Sequence, residues 1–330
     1  EQWVDILDRL LSKVFFHYLS VSPKDRRVVV CDSIYSPAPF RAALASVLFK
    51  RLSVPSVIFV MDLVLPLYLT GLSSGLVIDC GYEASRVMAT FAGVPLLSAY
   101  SNASAGGRRI LTRLQRGLRT ALPAADAGIV DDEVVVEDFL VKSCYVACDI
   151  PTEDGGPNLM LGTEKAAPLT LPRAQGGAAA MVTGNCRWQP AEVLFSDDAV
   201  EHGEEEEEIE GAGESCSCSC VPEAFVRVIE NCPIDIRAAV VQNVVICGGC
   251  ATLRGLLPRL AVELRAALLR HPHLQSLAGH LLITPLDFAP ICAVWCGGAV
   301  FGALEGAGDY TSDDYSKGKP LPDWAREGFV

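Results

Sequence analysis

The chain is 330 residues long, half apolar and 20% charged, which is more than one core usually holds and predicts two lobes. A formal net charge of −13 argues against nucleic acid and against an anionic membrane surface, because phosphate contacts need a basic face. No apolar run approaches the roughly 20 residues that a membrane-spanning helix needs.

In chain order, Trp3, Ile6, Leu7, Leu10, Leu11, Val14, Phe15 and Tyr18 recur every three or four residues, with Asp5, Asp8, Arg9 and Lys13 opposite. That spacing predicts an amphipathic helix. Residues 28–31 read as a short strand buried on both faces. Ser36, Pro37 and Pro39 punctuate a turn into a helix that carries Phe40, Leu44, Val47 and Leu48 inward. A strand over 56–60, a helix over 62–68 and a strand over 75–79 follow, an alternation that predicts an α/β domain with a largely parallel sheet.

After Asp79 the pattern becomes a small antiparallel meander. Cys80, Gly81 and Tyr82 form a tight turn, 85–91 alternates weakly, Gly93 turns the chain and 94–97 extends again. Gly106 and Gly107 open a helix to about residue 119. Residues 151–183 read as an irregular excursion and 197–221 as an insertion, since neither composition buries enough apolar surface to offset ordering entropy. Order returns with a helix carrying Phe225, Val226 and Ile229, a turn at 232–235, and another helix leading to a strand over 244–247 and the pair Gly248–Gly249. A helix over 256–269, a strand over 281–284 and a last apolar helix with Trp295, Gly297, Gly298 and Phe301 complete the order. The end, 324–330, reads as loosely attached.

Glu204–Glu208 reads as a solvated, disordered loop. Thirteen cysteines, many inside apolar runs, read as small hydrophobes in a reducing compartment. The chain begins at Glu1 rather than Met, so an upstream segment is expected. Cys216, Cys218 and Cys220 lack a second cluster to complete four ligands, and Pro272 separates His271 from His273, so no metal site is predicted.

Six segments, in order, resemble the actin superfamily. Ile78–Asp79–Cys80–Gly81 is similar to its second phosphate-binding hairpin, Gly106–Gly107–Arg108 to its Ala-Gly-Arg helix start, and Lys142 through Ala147 to its Lys-Leu-Cys-Tyr-Val-Ala segment. Arg187 through Phe195 is similar to its Pro-Glu-x-Leu-Phe region. Asp235–Ile236–Arg237 with Asn243 through Gly249 and Gly255 resembles the stretch around its Gly-Gly adenosine motif, and Val294 through Gly298 its Val-Trp-Ile-Gly-Gly. Pro23 through Val29, Val47 through Lys50, Val54 through Val57, Tyr82 after Asp79–Cys80–Gly81, Cys232 through Asp235, and Gly302 through Leu304 resemble most the branch at the pointed end of the dynactin filament.

The resemblance implies a two-lobed actin-like α/β fold with mixed sheets, its N-terminal hairpin and first strands lying outside this chain. By that analogy 1–70 and 290–330 belong to the first lobe, 71–105 and 226–289 to the second, and 106–225 to a part carrying the irregular stretches. It implies Asp79, Gly81, Gly107, Gly248 and Gly249 as nucleotide-contacting positions, with backbone N–H groups facing phosphate and an Asp ordering waters around Mg²⁺.

Several positions depart from the family's hydrolytic pattern. Asp62 stands where a Gln positions the attacking water, and on its own it reads as a helix cap. Glu83 replaces the hairpin's second glycine, where a carboxylate repels phosphate. Arg86 replaces a His near the water, and Val141 a Glu that contacts the nucleoside. An anion beside the γ-phosphate opposes phosphoryl transfer. The expectation is no enzyme activity, with Mg-bound ATP or ADP at most a weak structural ligand.

The expected role is a cytoplasmic, cytoskeleton-associated subunit capping dynactin's pointed end. Its partners would be an actin-like filament subunit and other pointed-end subunits, without self-polymerisation. The alternatives are a scaffold of a nuclear chromatin complex and an active ATPase of the same fold.

Overall fold

Val28–Val30 and Val57–Val60 are β-branched and aromatic runs too short for helices, and in the computed structural model they lie side by side as parallel strands. The structure describes residues 2–122, 127–147, 167–169, 180–182, 184–196, 217–304 and 308–322. In chain order the first elements are α1 (Gln2–Ser12), β1 (Arg27–Asp32), α2 (Ala38–Ser46), β2 (Ser56–Met61), β3 (Gly75–Cys80), β4 (Ser85–Phe91) and β5 (Val94–Ala103). Then come α3 (Gly107–Ala121), α4 (Glu133–Ser143), β6 (Ala167–Leu169), β7 (Ala180–Val182), α5 (Asn185–Trp188) and β8 (Ser217–Cys218). The remainder is α6 (Val221–Asn231), α7 (Ile234–Val241), β9 (Val244–Cys247), α8 (Leu256–Arg270), α9 (Ala293–Ala303), β10 (Tyr310–Thr311) and α10 (Ser312–Ser316).

The chain divides into two units, Glu1–Leu72 with Ala293–Val330, and Ser73–Cys292. In the first, the sheet order is β1-β2-β10, parallel between β1 and β2 and antiparallel between β2 and β10. Its core gathers Leu7, Phe15, Leu48, Phe49, Val57 and Tyr310. The predicted first helix differs from expectation. It ends at Ser12 and continues as a wider π turn, Lys13–Tyr18. Leu7 and Phe15 are buried, but Trp3, Ile6, Leu10 and Tyr18 stay exposed, since α1 lays one face on α2.

The helix expected over 62–68 is instead a 3-10 turn, Leu65–Leu69, whose cap is Val64, with no side-chain capping bond. A helix beginning at 62 would need the residue-66 N–H to bond back to the Asp62 carbonyl, and Pro66 has none. Asp62 therefore does not act as the expected cap. It is buried beside Cys31, whose thiol burial pushes up to about 11, with the Asp62 charge adding to the effect.

In the second unit five strands run β8-β5-β4-β3-β9. The meander β3-β4-β5 is antiparallel, while β9 and β8 join its two sides in parallel. Ala92 and Gly93, at φ of 51° and 81°, make the two-residue turn between β4 and β5, the twist that suits a hairpin. Ile78, Val87, Ala103, Phe225, Ile229, Ile246 and Leu260 are among the core. Helix α6 runs unbroken across residue 225, so the boundary expected there falls inside one helix.

A second, smaller cluster joins Leu111, Leu114 and Leu118 of α3 to Val136 and Phe139 of α4. The strand expected over 281–284 reduces to a single bridge between Ile283 and Val244. Of the irregular stretches, 167–169 pairs with 180–182 and 217–218 joins β5. Glu204–Glu208, Cys216 and 324–330 lie outside the described residues. No helix among the described residues is long and apolar enough to cross a membrane.

Candidate functional site

The parallel pairing of β3 with β9 brings their C-terminal ends side by side, Asp79 opposite Cys247. Each strand then turns on a glycine. Gly248 has φ of 96°, a conformation side chains rarely adopt. A Cβ there would overlap the Cys80 carbonyl and lie 2.5 Å from Asp79 Oδ1. The two turns therefore pack directly against each other on one sheet of the second unit.

The start of α3 closes the third side. Gly107 N–H donates to the Gly81 carbonyl at 3.0 Å and Arg108 N–H to the Tyr82 carbonyl at 2.8 Å. A Cβ on Gly107 would be crowded, 3.1 Å from Tyr82 Cδ2 and 3.3 Å from Cys250 Sγ, so those side chains would have to give way. Cys250 Sγ donates to the Gly81 carbonyl at 3.3 Å. Burial, then the Asp79 charge, pushes the Cys250 thiol up to about 12, and burial raises Cys80 as well. Burial thus favours the neutral form of both thiols in the packing around the hairpin.

The structure thus brings Asp79, Gly81, Gly107 and Gly248 together and uses the lack of bulk at each glycine for internal contact. Gly81 lacks a side chain because the Ala84 carbonyl would lie 2.9 Å from its Cβ. Gly249 differs, since a Cβ there meets nothing within 4 Å. Of the four glycines it is the one at which a Cβ would meet nothing of the chain itself. Val141 lies exposed on α4, and Asp62 belongs to the other unit.

The charges around the hairpin form two pairs. Arg86 stands opposite Asp79 in the β3–β4 register and its guanidinium is ion-paired with the Asp79 carboxylate, both side chains largely out of solvent. Glu83 in the turn pairs with Arg108 at 2.6 Å, and the Tyr82 hydroxyl donates to Glu133 at 3.0 Å. Sequence reasoning named Arg86 but missed this pairing. The signal was present, because residues equidistant from a tight hairpin turn face each other on one side of the sheet.

A divalent cation implied by the fold would need the Asp79 carboxylate and its surrounding waters. A guanidinium already neutralises that carboxylate, and Asp79 Oδ1 also abuts Gly248. The residues present do not fit a metal at this position. Among the described residues there is no cluster of three or more His, Cys, Asp or Glu able to hold one.

Turned strands β3 and β9, the meander beside them and a helix start seated on the hairpin define an α/β protein of the actin-like fold. The chain belongs to the Actin family, whose model matches residues 2–312. It is 25% identical over 309 residues to actin-like protein 7A of Bos taurus, covering 92% of this chain and 61% of that protein. It is 28% identical over 289 residues to actin-like protein 9 of Bos taurus, covering 87% and 62% respectively. Actin-like protein 9 of Homo sapiens is 27% identical over the same length and coverage. The chain spans about three fifths of the length of these relatives.

Proposed function

We propose that this chain is a non-catalytic, structural member of the actin family that caps the pointed end of the dynactin filament in the cytoplasm, supporting dynein-based transport on microtubules. The observation that carries the non-catalytic part is the Asp79–Arg86 ion pair. Phosphoryl transfer in such a site depends on positioned charge around a metal and γ-phosphate. Here the hairpin's carboxylate is committed to an internal cation, and the Glu83 carboxylate of the turn is held by Arg108.

The dynactin assignment rests on the sequence segments that resemble the pointed-end branch, from Pro23 through Val29 to Gly302 through Leu304. A capping subunit presents one end to an actin-like filament and withholds the other from further head-to-tail addition. Nucleotide, where it binds, is a structural ligand. Affinity purification of the tagged full-length protein from cells tests the partner assignment. Recovery of dynactin subunits supports it, and recovery of chromatin-remodelling subunits in their place overturns it.

A further inference from the structure

The first unit repeats one helix ending. Residues 14–21 read Val-Phe-Phe-His-Tyr-Leu-Ser-Val and residues 47–54 read Val-Leu-Phe-Lys-Arg-Leu-Ser-Val. Both close as π turns, Lys13–Tyr18 after α1 and Val47–Arg51 after α2. Leu19 N–H donates to the Val14 carbonyl at 2.9 Å, and Leu52 N–H to the Val47 carbonyl at 3.0 Å. Each ending then turns on a serine at positive φ, Ser20 at 52° and Ser53 at 56°. Residues strained in this way, and π turns themselves, gather at functional sites.

The two endings differ in what covers them. The aromatic third residue of the second is Phe49, which is buried and stacks on Tyr315 of α10 with ring centroids 5.0 Å apart. Lys50 Nζ lies 5.5 Å over the same Tyr315 ring. The covering segment reads Thr-Ser-Asp-Asp-Tyr-Ser over residues 311–316, an aromatic ring beside two carboxylates. The aromatic third residue of the first ending is Phe16, and it is 60% exposed. It lines a recess of about 550 Å³ together with Lys24, Arg51 and the buried Pro23 and Leu52. Lys24 and Arg51 are exposed and make no hydrogen bond, ion pair or ring contact among the described residues.

We infer that this recess binds an acidic-aromatic segment of a partner polypeptide, its ring on Phe16 and its carboxylates on Lys24 and Arg51. The covered ending supplies the chemistry, because the chain answers the same helix end there with a tyrosine flanked by aspartates. Charge complementarity supplies the rest. Two exposed cations without a counter-ion attract carboxylates even within a chain of net charge −13. Asp8 also lines the recess and offsets one of those cations, which suits one or two carboxylates and not the dense charge of a nucleic acid. The volume lies in the range of pockets that hold a short segment, and an aromatic beside an arginine is the usual anchor of an interface.

The test uses the full chain and a fluorescent, end-capped Thr-Ser-Asp-Asp-Tyr-Ser peptide, read by anisotropy at low salt. Binding should weaken about tenfold in the double variant Lys24→Gln/Arg51→Gln and about fivefold in Phe16→Ser. All three positions are exposed, so thermal melts of these variants should match the unaltered protein. Lys50→Gln, outside the recess, should leave the affinity unchanged. Replacing the peptide's tyrosine by serine, or its aspartates by asparagine, should weaken binding to the same degree. No binding by the unaltered protein up to about 1 mM peptide would overturn the inference, as would equal affinity in the recess variants. A loss in Lys50→Gln as large as in the double variant would also overturn it, by assigning the peptide to the seat of α10. So would tighter binding of a single-stranded oligonucleotide or of phosphatidylserine vesicles through Lys24 and Arg51.

Discussion

Arg86 faces Asp79 directly across the β3–β4 hairpin, and its guanidinium is bound to that carboxylate. The register is fixed by six consecutive paired residues from Gly75–Thr90 to Cys80–Ser85, so the pairing follows from the sheet and not from a chance rotamer. The Asp79 carboxylate also lies against the β9 turn, its Oδ1 2.5 Å from where a Cβ on Gly248 would stand.

Removing the cation should leave a largely buried carboxylate without its counter-charge. Arg86→Ala is expected to destabilise the protein by about 1–3 kcal/mol, less than the loss for a fully buried pair because Arg86 retains some exposure. A urea melt measures this as a lower midpoint. A change within about 0.5 kcal/mol, the range of an ordinary surface substitution, would show the pair to be idle.

The two adjacent glycines should respond in opposite ways. Gly248→Ala forces a side chain into a left-handed φ and into Asp79 and Cys80, and is expected to cost more than about 2 kcal/mol. Gly249 sits at φ −64°, ψ −42° with open space beyond, so Gly249→Ala should stay within about 0.5 kcal/mol. Equal losses in parallel thermal melts would contradict the packing described for Gly248.

Buried thiols set an alkaline limit. Burial, then the Asp62 charge, pushes the Cys31 thiol up to about 11 from its ordinary 9.0, and its sulfur lies 2.9 Å from where a Gly298 Cβ would stand, although the residue as a whole is exposed. A raised pKa means that the fold favours the neutral form. Its contribution is complete below pH 9 and is lost as pH climbs through 11. Cys250, at about 12, extends the window upward. Alkylation at pH 8 should modify Cys31 about a hundredfold more slowly in the folded protein than in urea, in proportion to thiolate fraction. Equal rates would remove the argument.

Much of the fold was legible because β-branched runs and glycine punctuation act locally. Residues 28–31, 56–60 and 75–79 became β1, β2 and β3 within a residue or two. Other features depend on neighbours that a linear pattern does not reveal. The stripe of α1 predicted an apolar face but not that Trp3, Ile6 and Leu10 would remain exposed. The apolar run at 281–284 had strand composition yet gained only one bridge. At the candidate site the glycines were found and their partners were not. Gly107 against Tyr82 and Gly248 against Asp79 are contacts between segments far apart in sequence.

A capping subunit should not form filaments by itself. The purified chain, incubated with Mg-ATP and salt under conditions that assemble actin-like filaments, is expected to stay in the supernatant on ultracentrifugation. Sedimenting polymer would contradict capping.

The most direct measurement of the central proposal is phosphate release by the full-length protein with Mg-ATP, followed over hours beside an Arg86→His variant. The account predicts release no faster than in buffer for the unaltered protein, because Asp79 is already held by Arg86. Sustained turnover above that background would mean that the ion pair opens to admit metal and nucleotide, and the structural reading would fail.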